Sequence, residues 1–173
     1  AEEYIAMLDW ALDQDKHPVY IAIPSGPVVH AEGPVRANFD DLNTYEVTRQ
    51  GSKVAVLALG DFYDLGEKTV EALSSTLGIE ATLVKPYFAS GVDQNLLDNL
   101  VKDHDVIVTI EDGIIEGGWG QNIASYLGTS SARVLNYGVK KAFYDRVNIA
   151  DLMRESHLEP ELIAADVKQA LDL

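Results

Sequence analysis

The residues whose types and spacing could do chemistry cluster in one stretch, TIEDGIIEGGWG, from Thr109 to Gly120. Glu111 and Asp112 are adjacent, so on an extended chain they point to opposite sides and make a poor acid–base pair; capping or interface hydrogen bonding is the expected role. Gly117, Gly118 and Gly120 then lead into a helix, whose first N–H groups could attract an anion. The spacing matches neither G-x-G-x-x-G nor G-x-x-x-x-G-K-[ST], and Glu111, Asp112 and Glu116 place negative charge where a phosphate would sit. The glycines instead predict close backbone approach, of the helix to a sheet or of a second protein surface, with Trp119 as the packed aromatic. The loop is expected to be a subunit or domain contact, anchored by Trp119.

Other candidates carry less. Asp61, in GDFYDLGEK, is expected to cap a helix. Lys85, Pro86, Tyr87 and Phe88 read as a turn closing a core edge. His17, His30, His104 and His157 are dispersed, with no i, i+4 pair for a metal and no nucleophile beside them, so surface or loop roles are expected. No catalytic residue and no metal ligand is assigned. Cysteine is absent, which excludes disulfides, thiolate metal sites and a cysteine nucleophile.

These residues need a scaffold, and the order of apolar runs supplies one. From Thr44 the chain alternates strand and helix. TYEVTRQ reads as an exposed strand, Gly51 and Ser52 as a tight turn, and KVAVLALG as a strand buried on both faces, the pair predicted antiparallel. Helix 66–77, strand 81–85, helix 92–102, strand 106–110, helix 118–127 and strand 133–136 follow, then two helices over 149–155 and 161–171. This is a three-layer α/β/α fold around a mostly parallel, mixed sheet of about five strands. In such a sheet ligands bind beyond the carboxyl ends of the strands, where the Thr109–Gly120 loop sits. Before Thr44, residues 2–14 form an amphipathic helix and Val19 to Ile23 a short apolar strand, with no sheet of their own nearby. Residues 27–43 have the composition of an interdomain linker.

At 173 residues with a net charge of -15, the chain can bury a core and should repel nucleic acid and anionic membranes. No apolar run approaches a membrane span, and the acidic start lacks signal-peptide character, so a cytoplasmic protein is expected. The first residue is not methionine and the first helix is already under way, as expected of a chain that begins in mid-protein.

Thr109, Ile110, Glu111, Asp112, Gly117, Gly118 and Gly120, followed by Val134, Leu135 and Gly138 and by Leu158, Pro160, Glu161 and Ile163, form an ordered set. In that order they resemble the C-terminal domain of transketolase-like thiamine diphosphate enzymes. KHPVYIAIPSG resembles the last strand of the pyrimidine-binding domain in that superfamily, and Val84, Lys85 and Pro86 a strand end of 1-deoxyxylulose-5-phosphate synthases. The resemblance implies that residues 1–26 are the last helix and strand of a pyrimidine-binding domain, 27–43 a linker and 44–173 the C-terminal domain. It implies a parent transferase using thiamine diphosphate and Mg2+, with neither bound by this part. The chain would serve homodimer assembly and the active-site rim, partnered by the remainder of its own polypeptide and not catalytic alone. The rim or interface residues are then Ser25, Tyr87, Glu111, Asp112, Gly117, Gly118 and Trp119. Arginines that the synthases use around the acceptor phosphate are replaced here by Ala22, Ser25 and Thr82, which puts a sugar-phosphate acceptor in doubt. The alternative is a free-standing flavodoxin-like module for a small ligand or for oligomerisation, using the loop after Leu59 or Ile110.

Overall fold

The computed structural model describes residues 1–24 and 26–173, and backbone contacts divide the chain into two units, Ala1–Leu42 and Asn43–Leu173. Ser25 lies outside the described residues.

The first unit is one helix and the later chain that runs alongside it. Helix α1 (Glu2–Asp13) has its apolar residues at helical spacing but buries none of them, and Tyr4, Ile5, Leu8 and Leu12 are all exposed. The Glu2 carboxylate accepts from His30 Nδ1 and from the Ala31 backbone N–H, both at 2.8 Å. These bonds hold its carboxyl far below the ordinary range, down to about 2. Trp10 Nε1 donates to Asp40 at 2.9 Å, and its ring meets Phe39 edge-on at 5.8 Å. Residues 30–40 therefore run beside α1 in its own direction, where sequence composition predicts only a linker. The strand expected over 19–23 does not form: among the described residues this stretch pairs with no other strand, and Tyr20 is 92% exposed. An extended segment without a neighbour has no ladder to join.

The second unit contains a five-stranded mixed sheet in the order β1-β3-β2-β4-β5. Its elements in chain order are β1 (Glu46–Arg49), β2 (Lys53–Ala58), a short 3-10 turn (Gly60–Phe62), α2 (Tyr63–Leu77) and β3 (Thr82–Lys85). Helix α3 (Gln94–Leu100), β4 (His104–Ile114), α4 (Trp119–Tyr126), β5 (Arg133–Val139), α5 (Ile149–Glu155) and α6 (Pro160–Ala170) complete it. Strands β2 to β5 are parallel, and β1 is the antiparallel edge.

The expected β1–β2 hairpin is replaced by β1 pairing with β3. Gly51 shows why: Ser52 N–H donates to the Glu80 carbonyl, and a Cβ on Gly51 would stand 2.1 Å from that same oxygen. The chain thus crosses against the start of β3 instead of turning back on itself. β2, apolar on both faces, is left free for a central place.

Period-two alternation divides the core. Val54, Val56 and Ala58 of β2 and Val106, Val108 and Ile110 of β4 pack under α2 and α6, with Leu73, Ile163 and Val167. Ala55, Leu57 and Ile107 face the other way, onto Leu97, Leu100, Trp119 and Ile123 of α3 and α4. Helices on both faces give the three layers expected, and the parity of β4 fixes the candidate site: Ile107, Thr109 and Glu111 share the α4 side.

Candidate functional site

Glu111 is where that parity matters. Its side chain points toward the start of α4, where the first N–H groups of the helix have no carbonyl partner. Trp119 N–H donates to Glu111 Oε2 at 2.8 Å and Gly120 N–H to Oε1 at 2.9 Å, and Glu111 is 6% exposed. A carboxylate of the chain thus fills the position an external anion would occupy and meets the positive end of the helix dipole. Asp112, one residue on, points away and is exposed.

The glycines allow this closeness. A Cβ on Gly118 would lie 2.5 Å from both Glu111 Oε1 and the Ile114 carbonyl; one on Gly120 would lie 2.3 Å from Thr109 Oγ1. Gly117 has φ of +83°, a left-handed conformation that suits only glycine well. Its N–H donates to the Gln121 side chain. Thr109 lies opposite Asn136 in the β4–β5 register and donates to its Oδ1 at 2.8 Å.

Trp119 is 3% exposed, and its Nε1 donates to Tyr45 Oη at 2.9 Å with the rings tilted 6.0 Å apart. Tyr45 in turn donates to the Gly91 carbonyl, and its backbone N–H donates to Asp93. Burial pushes the Tyr45 phenol up to about 12. The indole expected to anchor a subunit or domain contact is buried within this chain, a core group tying α4 to the chain ahead of β1. Of the two close approaches the glycines could serve, the structure uses helix on sheet.

The remaining candidates are spread out. Tyr87 is half-buried past the end of β3, its hydroxyl on Glu46, with Lys85 Nζ 5.7 Å from its ring centre and 4.8 Å from that of Tyr63. Asp61 caps neither helix start nearby; it sits inside the 3-10 turn, where burial and the charge of Asp112 raise its carboxyl. His104 departs from the surface role expected of the histidines. It is 3% exposed, with Nδ1 at 2.8 Å from the Leu100 carbonyl and Nε2 at 2.8 Å from Thr82 Oγ1. Thr82 Oγ1 also accepts from Gly51 N–H. A carbonyl can only accept, so Nδ1 carries a proton toward Leu100. Sequence reasoning missed Tyr45 and His104; the one available signal was that each borders an apolar run.

The structure therefore brings Glu111, Gly118 and Trp119 into one hydrogen-bonded turn, with Gly117 beside it. Asp112 and Tyr87 stand apart from it. Among the described residues no three His, Asp or Glu side chains group as metal ligands would, and no helix is long and apolar enough to cross a membrane.

Comparison with known proteins places this arrangement. The chain is 36% identical over 128 residues to the 1-deoxy-D-xylulose-5-phosphate synthase of Pseudoalteromonas translucida, covering 73% of this chain and 20% of that protein. It is 28% identical to the Clostridium tetani synthase over 172 residues, covering 98% of this chain and 27% of that one. The chain thus spans between a fifth and about a quarter of the length of these relatives. A solved split-gene transketolase, described as an inactive beta4 tetramer, superposes with a TM-score of 0.63 at 26% identity, over 76% of this chain and 43% of that one. A Pichia stipitis transketolase in complex with sedoheptulose 7-phosphate shares the fold, with a TM-score of 0.53 at 15% identity over 75% of this chain and 18% of that one. The family model for the transketolase C-terminal domain matches residues 43–163, and the chain belongs to that family.

Proposed function

We propose that the chain is the C-terminal part of a thiamine diphosphate-dependent ketol or aldehyde transferase of the 1-deoxy-D-xylulose-5-phosphate synthase or transketolase type. It contributes assembly of a cytoplasmic homodimer and the rim of a composite active site, and turns nothing over alone. The observation that carries this is the similarity to the Clostridium tetani synthase across 98% of the chain, which runs through the first unit as well as the family's domain. Residues 1–26 are read as the end of a pyrimidine-binding domain and 27–43 as the connection. The exposed apolar face of α1 and the unpaired segment 19–23 support that reading, since both are elements that a larger sheet would complete. The split-gene transketolase described as an inactive beta4 tetramer is a related case of a partial chain assembling without activity.

The residues here do not fit the cofactor's diphosphate and Mg2+. The leading N–H groups of α4 are taken by Glu111, and the described residues gather no set of carboxylates or histidines for a cation. What this chain offers is position: a rigid α4 start and the loops around it. Thr82, the strand position that resembles an arginine site in the synthases, is fully buried and bonded to His104 and Gly51. The residue types at Ala22, Ser25 and Thr82, none of them arginine, favour an acceptor other than a sugar phosphate held in the usual way. The groove of about 460 Å3 between α2 and α6 is lined by residues such as Lys68, Ser75 and Glu161, and by none from the loops after β2 and β4 that the flavodoxin-like alternative would use.

The test is turnover of pyruvate or a ketose by this chain and by the complete polypeptide to which it belongs. The reading expects activity only in the complete protein; turnover by the chain alone, or by neither, overturns it.

A further inference from the structure

Beyond β5 the chain does something unusual for a folded domain: every residue from Lys140 to Asp151 is exposed. The stretch is not polar. Phe143 is 108% exposed and Ile149 68%, with Tyr144 and Val147 also open to solvent. Nor is it without internal order. Lys141 N–H donates to Glu116 Oε2 at 2.8 Å, Tyr144 Oη donates to the Lys140 carbonyl at 2.8 Å, and Asn148 Oδ1 caps α5 by accepting from Ala150 N–H. The loop is therefore held at both ends in a shape that presents Phe143 outward.

Two features say what such a loop meets. Ile115 N–H donates to the Val139 carbonyl, so the loop adjoins the turn after β4, and exposed Ile114 there extends its apolar surface. Both lie at the carboxyl end of the sheet. In addition, Lys140, Lys141 and Arg146 outnumber Asp145 and Asp151 in this stretch, a local basic excess on a chain of net charge -15. Apolar residues ringed by cations match an apolar surface ringed by acids.

We infer that Lys140 to Ile149, with Ile114, is the surface by which this domain docks on the preceding part of the same enzyme, at an acidic, apolar patch. The inference rests on the reading above that the chain is one part of a longer transferase. Relatives of which this chain spans only 20% and 27% supply the reason to place the occupant there: most of such an enzyme lies outside these residues. Burial of Phe143 and Ile149 then removes the largest exposed apolar groups of the loop from water.

Hydrogen exchange measured by mass spectrometry on peptides covering 140–149 tests this, in the isolated chain and in the complete polypeptide. The expected result is exchange at least about tenfold slower in the complete protein, and return to the isolated chain's rate in Phe143→Asp. Phe143 touches little in this chain, so the substitution leaves its thermal melt unchanged. Equal rates in the two proteins overturn the inference. So does protection that appears in the isolated chain and rises with its concentration, which makes a second copy the occupant. Turnover of the complete protein reports separately on the functional reading, so the two fail independently.

Discussion

Replacing Glu111 by Gln changes one proton-bearing group in a fixed geometry, and its cost can be worked from the two bonds it makes. The carboxylate accepts from Trp119 and Gly120 N–H at 2.8 and 2.9 Å, nearly out of contact with water. A hydrogen bond to a charged partner is worth about 1.5–3 kcal/mol. Glutamine keeps one acceptor oxygen, but its amide group turns a donor toward the other N–H, and the favourable meeting with the helix dipole is lost. A destabilisation of about 2–4 kcal/mol follows, which for a unit of this size lowers the melting temperature by roughly 5–15 °C. Urea unfolding and calorimetry of wild type and E111Q measure it. E111A provides a second reading: it vacates the anion position, so acetate should raise the melting temperature of E111A and leave wild type unmoved. A loss below about 1 kcal/mol in E111Q, with no acetate effect in E111A, refutes the assignment of Glu111 as an internal anion that fixes the start of α4.

Further outcomes follow from the same geometry. Trp119→Ala should cost about 3–5 kcal/mol of stability, the range for emptying a buried aromatic site, while leaving the sedimentation of folded protein unchanged; loss of association without loss of stability contradicts its placement in the core. Gly118→Val should destabilise through the Glu111 carboxylate it displaces, so combining it with E111A should cost less than the sum of the two single changes in a double-mutant cycle. The Tyr45 phenol, pushed up to about 12 from an unfolded value near 10, contributes stability that is complete below pH 10 and is lost as pH rises through 12, about 2–3 kcal/mol in all; a pH profile identical in Tyr45→Phe contradicts this. In the complete enzyme, kcat/KM for glyceraldehyde 3-phosphate should stay below about 10⁴ M⁻¹s⁻¹, the lower edge of ordinary enzymes, and a higher value shows that another residue holds the phosphate.

Much of the scaffold is legible in the sequence, because its signals are local. VAVLA and VIVTI are short runs apolar on both faces, the pattern of interior strands in a mostly parallel sheet, and both are central strands here. The divergence of Glu111 and Asp112 follows from the period of two, and the structure buries one and exposes the other. What stayed hidden depends on residues distant in sequence. Nothing within TYEVTRQGSKV says that Gly51 will pass under Glu80, so the strand pairing of β1 could not be read there. The direction of Trp119 is set by Tyr45, 74 residues away, and the burial of His104 by Thr82 across the sheet. The segment 19–23 has strand composition but no partner among the described residues, and composition alone cannot supply one.

The central claim is that these residues position a transferase site without holding its cofactor, and titration calorimetry with thiamine diphosphate and Mg2+ addresses it most directly. The account predicts no heat of binding to the 173-residue chain and a saturable, micromolar site in the complete polypeptide under the same conditions. A micromolar site in the 173-residue chain contradicts it, because the N–H groups that could receive the diphosphate are those Glu111 already occupies.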